Sequence, residues 1–205
     1  MDGVFMKKLL KLAIFALALY AAFWCGRVLF DRIALNENLI RLHVVANSDS
    51  EEDQALKLKV RDAVVDKLQE TLESFPTMEE AKAYLQENLP ALEAFVNQVI
   101  QELGFSQTAT VSVDQEAFDT REYDTFTLPA GYYEALRITI GEGQGKNWWC
   151  VVFPSLCVGS TKDFQDTAVG AGFSSDLTQT LQDDTEIRFF LLDWLGKVEN
   201  FFRSL

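Results

Sequence analysis

The residues that could do chemistry in this chain are few: one histidine, three cysteines and scattered carboxylates. His43 is the single histidine, so multi-histidine zinc centres and the H-E-x-x-H helix are excluded. Cys150 and Cys157 enclose six residues that include Pro154, and a reversal there brings them within disulfide reach if the compartment is oxidising. Reduced, they are either two core thiols or, with His43 as base, a thiol nucleophile. Residues 47–53, NSDSEED, have the acidity of a calcium loop, but Glu52 or Gln54 stands where that loop needs glycine and no glutamate closes its twelve-residue frame.

Other motifs fail in the same way. Residues 141–146, GEGQGK, have three residues between the outer glycines where a phosphate loop needs four, and Asn147 replaces the hydroxyl that would reach magnesium. Residues 172–176 read G-x-S-x-D and lack the second glycine of a serine-hydrolase elbow. Asp119, Thr120 and Arg121 miss the glycine of an aspartic-protease loop. The expectation is a protein without catalytic residues, metal or cofactor.

The elements that hold these residues begin with an export device. Lys7, Lys8 and Lys11 precede an uncharged run from residue 12 to 26, the layout of a signal peptide or an N-terminal anchor with its lysines left in the cytoplasm. The small pair Ala16 and Ala18 falls too early in the run for cleavage, and snorkelling of Lys11 and Arg27 extends the run to roughly the 17 to 20 residues a span needs. The reading leans to an uncleaved anchor over residues 1–30, with Cys25 in the bilayer and residues 31–205 as one extracytoplasmic domain. Net charge supports the division: residues 1–30 carry +3 of the total of −13, which leaves −16 for the rest. Such a domain does not seek nucleic acid or anionic lipid head groups by charge.

Within that domain residues 39–46 alternate as a strand, and Ser50 with Asp53 forms a capping box that opens a helix. Leu56, Val60, Val64, Leu68 and Leu72 make its apolar stripe, with Lys57, Lys59, Arg61 and Asp62 at the edge or in solvent. Thr77 and Glu80 cap a second helix over 78–87, and Pro90 sits in the first turn of a third that ends at Gly104. Strands follow at 108–113, as a hairpin of 123–128 with 132–140, and at 148–153, where aromatic and β-branched residues on both faces suit a central strand. Residues 158–182 read as a loop or lid with short helical pieces. Ile187, Phe190, Leu191, Trp194, Val198, Phe201 and Leu205 form the stripe of a core-packing tail helix, with surplus aromatic surface and a kink at Gly196. The fold class expected is α+β: a mixed or antiparallel sheet packed with a helical block, plus an N-terminal hydrophobic helix.

Two stretches go beyond pattern. LIRLHVVANSDSEEDQALKLKVRDAV (39–64) and LPAGYYEALRITIGEGQGKNWWCVVFPSLC (128–157), behind one hydrophobic segment, resemble the stage II sporulation protein R family. That resemblance implies a signalling protein made in the forespore and exported into the space between forespore and mother-cell membranes. There it would activate a membrane-embedded aspartic protease, which processes the precursor of the early mother-cell sigma factor. The implied partners are that protease, through its extracytoplasmic surface, and the membrane, through the N-terminal segment; no small-molecule substrate is implied. Arg41, His43, Asn47 and Asp49 are the candidate contacts, with Trp148 or Trp149 beside them if the two stretches adjoin. The alternative is an extracytoplasmic hydrolase with a thiol or carboxylate site, which requires reduced cysteines.

Overall fold

In the computed structural model, which describes residues 3–157 and 164–204, the first helix α1 (Gly3–Asn38) does not stop where the apolar run ends. It continues into the folded domain, where Val28, Asp31, Arg32 and Leu35 are buried. Strand β1 (Ile40–Val45) follows at once and is buried over its whole length. Helices α2 (Glu51–Glu73), α3 (Met78–Glu87) and α4 (Leu89–Glu102) come next. Ser50 Oγ accepts from the Asp53 amide and Thr77 accepts from the Glu80 amide, so the N-cap half of each capping box forms where its spacing put it, while the Ser50 amide donates to Ser48 Oγ and not to Asp53.

The remaining strands are β2 (Ala109–Phe118), β3 (Arg121–Glu122), β4 (Thr127–Leu128), β5 (Gly131–Ile140) and β6 (Asn147–Phe153). Four of them make one mixed sheet in the order β2-β5-β1-β6, with β1 parallel to β5 and antiparallel to β6. Side chains alternate across it. Leu42, Val44, Val111, Leu136, Ile138 and Val152 face α2, α3 and α4, and meet the stripe of Leu56, Val60, Val64, Leu68 and Leu72. The opposite face, with Tyr133, Ala135 and Val151, packs on the end of α1 and on α5 (Phe164–Gly170), α6 (Ser175–Gln182) and α7 (Ile187–Arg203).

Several sequence expectations are corrected. Residues 123–128 and 132–140 do not pair as a hairpin: β4 pairs with β3, while β5 lies between β2 and β1. β6 is at the sheet edge rather than its centre. Its apolar character on both faces comes from cover above and below, by α2 on one side and Phe126 and Phe164 on the other. Residues 158–163 of the expected loop or lid lie outside the described residues, and the short helical pieces expected in it are α5 and α6, which take up most of residues 164–182. Lys57 is buried, its Nζ donating to the Lys146 carbonyl at 2.9 Å and to Gln54 at 2.7 Å. In α7 the buried face is Phe189, Leu192 and Gly196, so the stripe assigned to the core is largely the outer face. Gly196 marks a close approach to the Ala130 carbonyl, where a Cβ would come within 1.6 Å of the oxygen.

Candidate functional site

The acidic stretch after β1 and the glycine-rich loop before β6 fold onto each other. β5 and β6 flank β1, so the chain between them must cross the end of β1. It does so on hydrogen bonds from Gln144 N to the Asn47 carbonyl, Gly145 N to the Ala46 carbonyl, Glu142 N to Asn47 Oδ1 and Lys146 N to Asp49 Oδ1 at 2.7 Å. Glycine is required at this crossing: Gly141 has φ +58°, and a Cβ on Gly145 would stand 2.2 Å from the Ser48 carbonyl oxygen. Asp53 accepts from Asn47 Nδ2 and from the Ser48 hydroxyl, and these bonds, Ser48 foremost, hold its carboxyl below the usual range. Asn47 and Asp49 are therefore parts of a backbone latch. Burial also lowers the Lys57 ammonium pKa beside it.

The second part of the site lies on the sheet face that α2, α3 and α4 leave open. β1 and β6 pair with His43 opposite Trp149 and Val44 opposite Trp148, so the two stretches of the family resemblance adjoin. The His43 ring stacks on Trp149 with centroids 5.6 Å apart, and the Arg121 guanidinium lies 3.8 Å over the same indole. His43 Nδ1 is 2.6 Å from Glu116 Oε2, and Arg137 donates to the other oxygen at 3.3 Å. Burial pushes the Glu116 carboxyl up, but the hydrogen bond and charge of His43 and the Arg137 guanidinium outweigh it and leave the carboxyl below its usual range. His43 Nε2 is buried with no partner among the described residues.

Trp148 projects from the other face of β6, where Arg61 of α2 lies 4.2 Å over its ring. The edge strand thus carries an arginine–tryptophan stack on each face. A groove of about 520 Å³ runs between them, lined by Arg61, Trp148, Arg121, Trp149, Tyr123 and Cys157 among others. Tryptophan and arginine are the side chains that most often dominate binding at protein interfaces. At the end of the groove Leu156 N donates to the Val151 carbonyl, and this reversal sets Cys157 against Cys150 in a disulfide with Cα atoms 5.0 Å apart. Neither sulfur is then a nucleophile.

Five of the six candidate contacts gather at this end of β1 and β6. The sixth, Arg41, is fully buried beneath it: its guanidinium lies 4.0 Å over Phe118, Nη2 donates to the Tyr123 hydroxyl at 2.9 Å, and Nε and Nη1 have no partner among the described residues. It supports the site from within, through Tyr123. Sequence reading missed Glu116, Arg137, Arg61 and Arg121. The available signal was alternation: Asp114 and Glu116 share one face of β2, opposite Val111 and Val113, which marks that sheet face as polar.

Comparison with known proteins gives the family of the chain. A family described as stage II sporulation protein R matches residues 36–163. Stage II sporulation protein R of Bacillus subtilis (strain 168) is 32% identical over 185 residues, which covers 80% of this chain and 83% of that protein. No solved structure matches.

Proposed function

Because the chain belongs to the stage II sporulation protein R family, we propose that its sporulation signalling role is carried out by contact, outside the cytoplasm, with a membrane-embedded aspartic protease. Binding would favour the active arrangement of that protease, which then processes the precursor of the early mother-cell sigma factor. A ligand can shift such an equilibrium only by the difference between its affinities for the two states. The observation that carries this reading is the junction of the two family stretches, where His43 meets Trp149 in register and residues 141–146 cross residues 46–49. That junction presents a groove flanked by Arg61 and Arg121 on tryptophan faces.

The location fits the same reading. α1 is long and apolar enough to cross a membrane, and the Cys150–Cys157 bridge suits an oxidising compartment. A thiol hydrolase is disfavoured, because both sulfurs that could attack are in the bridge. Co-expression of the chain with the protease and its precursor substrate in a non-sporulating host tests the proposal. Processing that requires the chain supports it; processing at the same rate without the chain, or purified chain that cleaves the precursor unaided, overturns it.

A further inference from the structure

Helix α7 is apolar on two faces. Phe189, Leu192 and Gly196 face the protein interior. Ile187, Phe190, Trp194 and Phe201 form an outer stripe and are exposed at 77%, 65%, 53% and 61%. A stripe of that size on an acidic domain is an interaction surface, not a random scatter of apolar residues.

What covers it follows from α1. From residue 5 to 23 every side chain of α1 is exposed, and burial begins at Val28 with no linker between the two regimes. α7 crosses α1 just beyond that point: Arg188 pairs with Asp31, and Glu199 pairs with Arg32. At 1.5 Å per residue these contacts lie about 6 to 8 Å past Arg27. That distance is close to the depth of one head-group layer, about 5 to 8 Å on each side of the hydrocarbon core. If α1 crosses a bilayer, α7 is held at the level of the head groups, the depth that tryptophan and phenylalanine prefer.

Charge does not draw α7 to anionic lipid: the domain carries −16, and Asp183 and Asp184 stand exposed just ahead of Ile187. Within α7 both carboxylates are occupied, since Asp193 accepts from Ala130 N and Thr120 and pairs with Lys197, and Glu199 pairs with Arg32 and Arg203. Contact with lipid therefore rests on the apolar side chains of the stripe.

We propose that α7 is a second membrane-contacting element, lying at the lipid interface beside α1 with Ile187, Phe190, Trp194 and Phe201 set into the boundary between head groups and acyl chains. It would fix the orientation of the domain on the membrane. This rests on the reading of α1 as a membrane helix, and the test separates the two.

The full chain, with Cys25→Ala, is placed in vesicles of phosphatidylcholine and phosphatidylglycerol, and an environment-sensitive fluorophore is attached at Phe190→Cys, Leu17→Cys or Leu103→Cys. Position 17 reports the exposed stretch of α1, and 103 is an exposed control at the end of α4. Lipid spin-labelled near the head group should quench position 190 at least about two-fold more than position 103, as an interfacial helix requires. Ile187→Cys, at the outermost side chain of the stripe, gives the same readout if Phe190→Cys disturbs the fold. Deep quenching at 17 with no excess at 190 overturns the role of α7 while leaving α1 in the bilayer. No lipid quenching at 17 removes the membrane reading of α1, and the proposal with it. Cross-linking of two chains through position 190 without lipid quenching assigns the stripe to a second copy of the chain, and also overturns the proposal.

Discussion

The two faces of the sheet are closed by different means. Against α2, α3 and α4 the contact is mainly aliphatic, from Leu42 and Val44 to Val60, Val64, Val96 and Ile100, with aromatic rings such as Phe95 and Trp148 at its margin. On the other face, β1 presents Arg41 and His43, β2 presents Glu116, β5 presents Arg137 and β6 presents Trp149. Polar groups on that face are held by ring stacking and a few hydrogen bonds, and some have no partner among the described residues. The first face is built for stability. The second carries charged and aromatic groups whose cost a stable core alone would not justify.

The sharpest break in the comparison is made on the aliphatic face. Leu42→Ala on β1, fully buried and away from the groove, should cost about 2 to 5 kcal/mol in denaturant unfolding. Processing of the precursor should fall only in proportion to the folded protein that remains. Replacing Cys150 and Cys157 together by Ser should cost about 2 to 3 kcal/mol by the chain-entropy estimate for so short a ring, read from the shift in unfolding midpoint. Gly145→Ala tests the latch, because its Cβ would meet backbone at Ser48 that cannot turn aside. A loss of about 1 to 3 kcal/mol is expected.

Acid separates the faces further. The Glu116 carboxyl is held below its unfolded value of 4.5, so its contribution to stability is complete above that pH and is lost as pH falls through the folded value. Unfolding midpoints measured from about pH 5 down to pH 3 should therefore fall less steeply for Glu116→Gln than for the parent chain. A parallel decline in the two proteins would show that His43 and Arg137 do not stabilise the ionised carboxylate. The smallest effect on stability is expected from Arg121→Ala, about 0.5 to 1 kcal/mol for an indole stack open to solvent. A larger loss would place Arg121 in the structural half of the comparison.

Local structure was legible in the sequence where a side chain meets its own neighbours along the chain. The cap at Ser50, the cap at Thr77, the stripe from Leu56 to Leu72 and the opposed Trp148 and Trp149 all follow from spacing. Strand order was not, because period two says which face of a strand is buried and not which strand lies beside it. β6 looked central since both of its faces are covered, though one of its edges is not paired within the sheet. α7 was misread for a related reason: apolar residues on two faces leave the period unable to say which face packs inward, and Gly196 against Ala130 settles it only in three dimensions. The candidate site was half legible. The two family stretches contain His43, Asn47, Asp49, Trp148 and Trp149, but Glu116 and Arg121 enter from the chain between them.

The central claim is that the groove between the two arginine–tryptophan stacks is the signalling surface. It is tested most directly by charge reversal of Arg61 and Arg121 together, with precursor processing measured in the co-expression host at matched protein level and Leu103→Glu as the surface control. The account predicts that processing is lost in the double variant and kept in the control. Processing equal to that of the parent chain, from a double variant that is folded and exported, would contradict it.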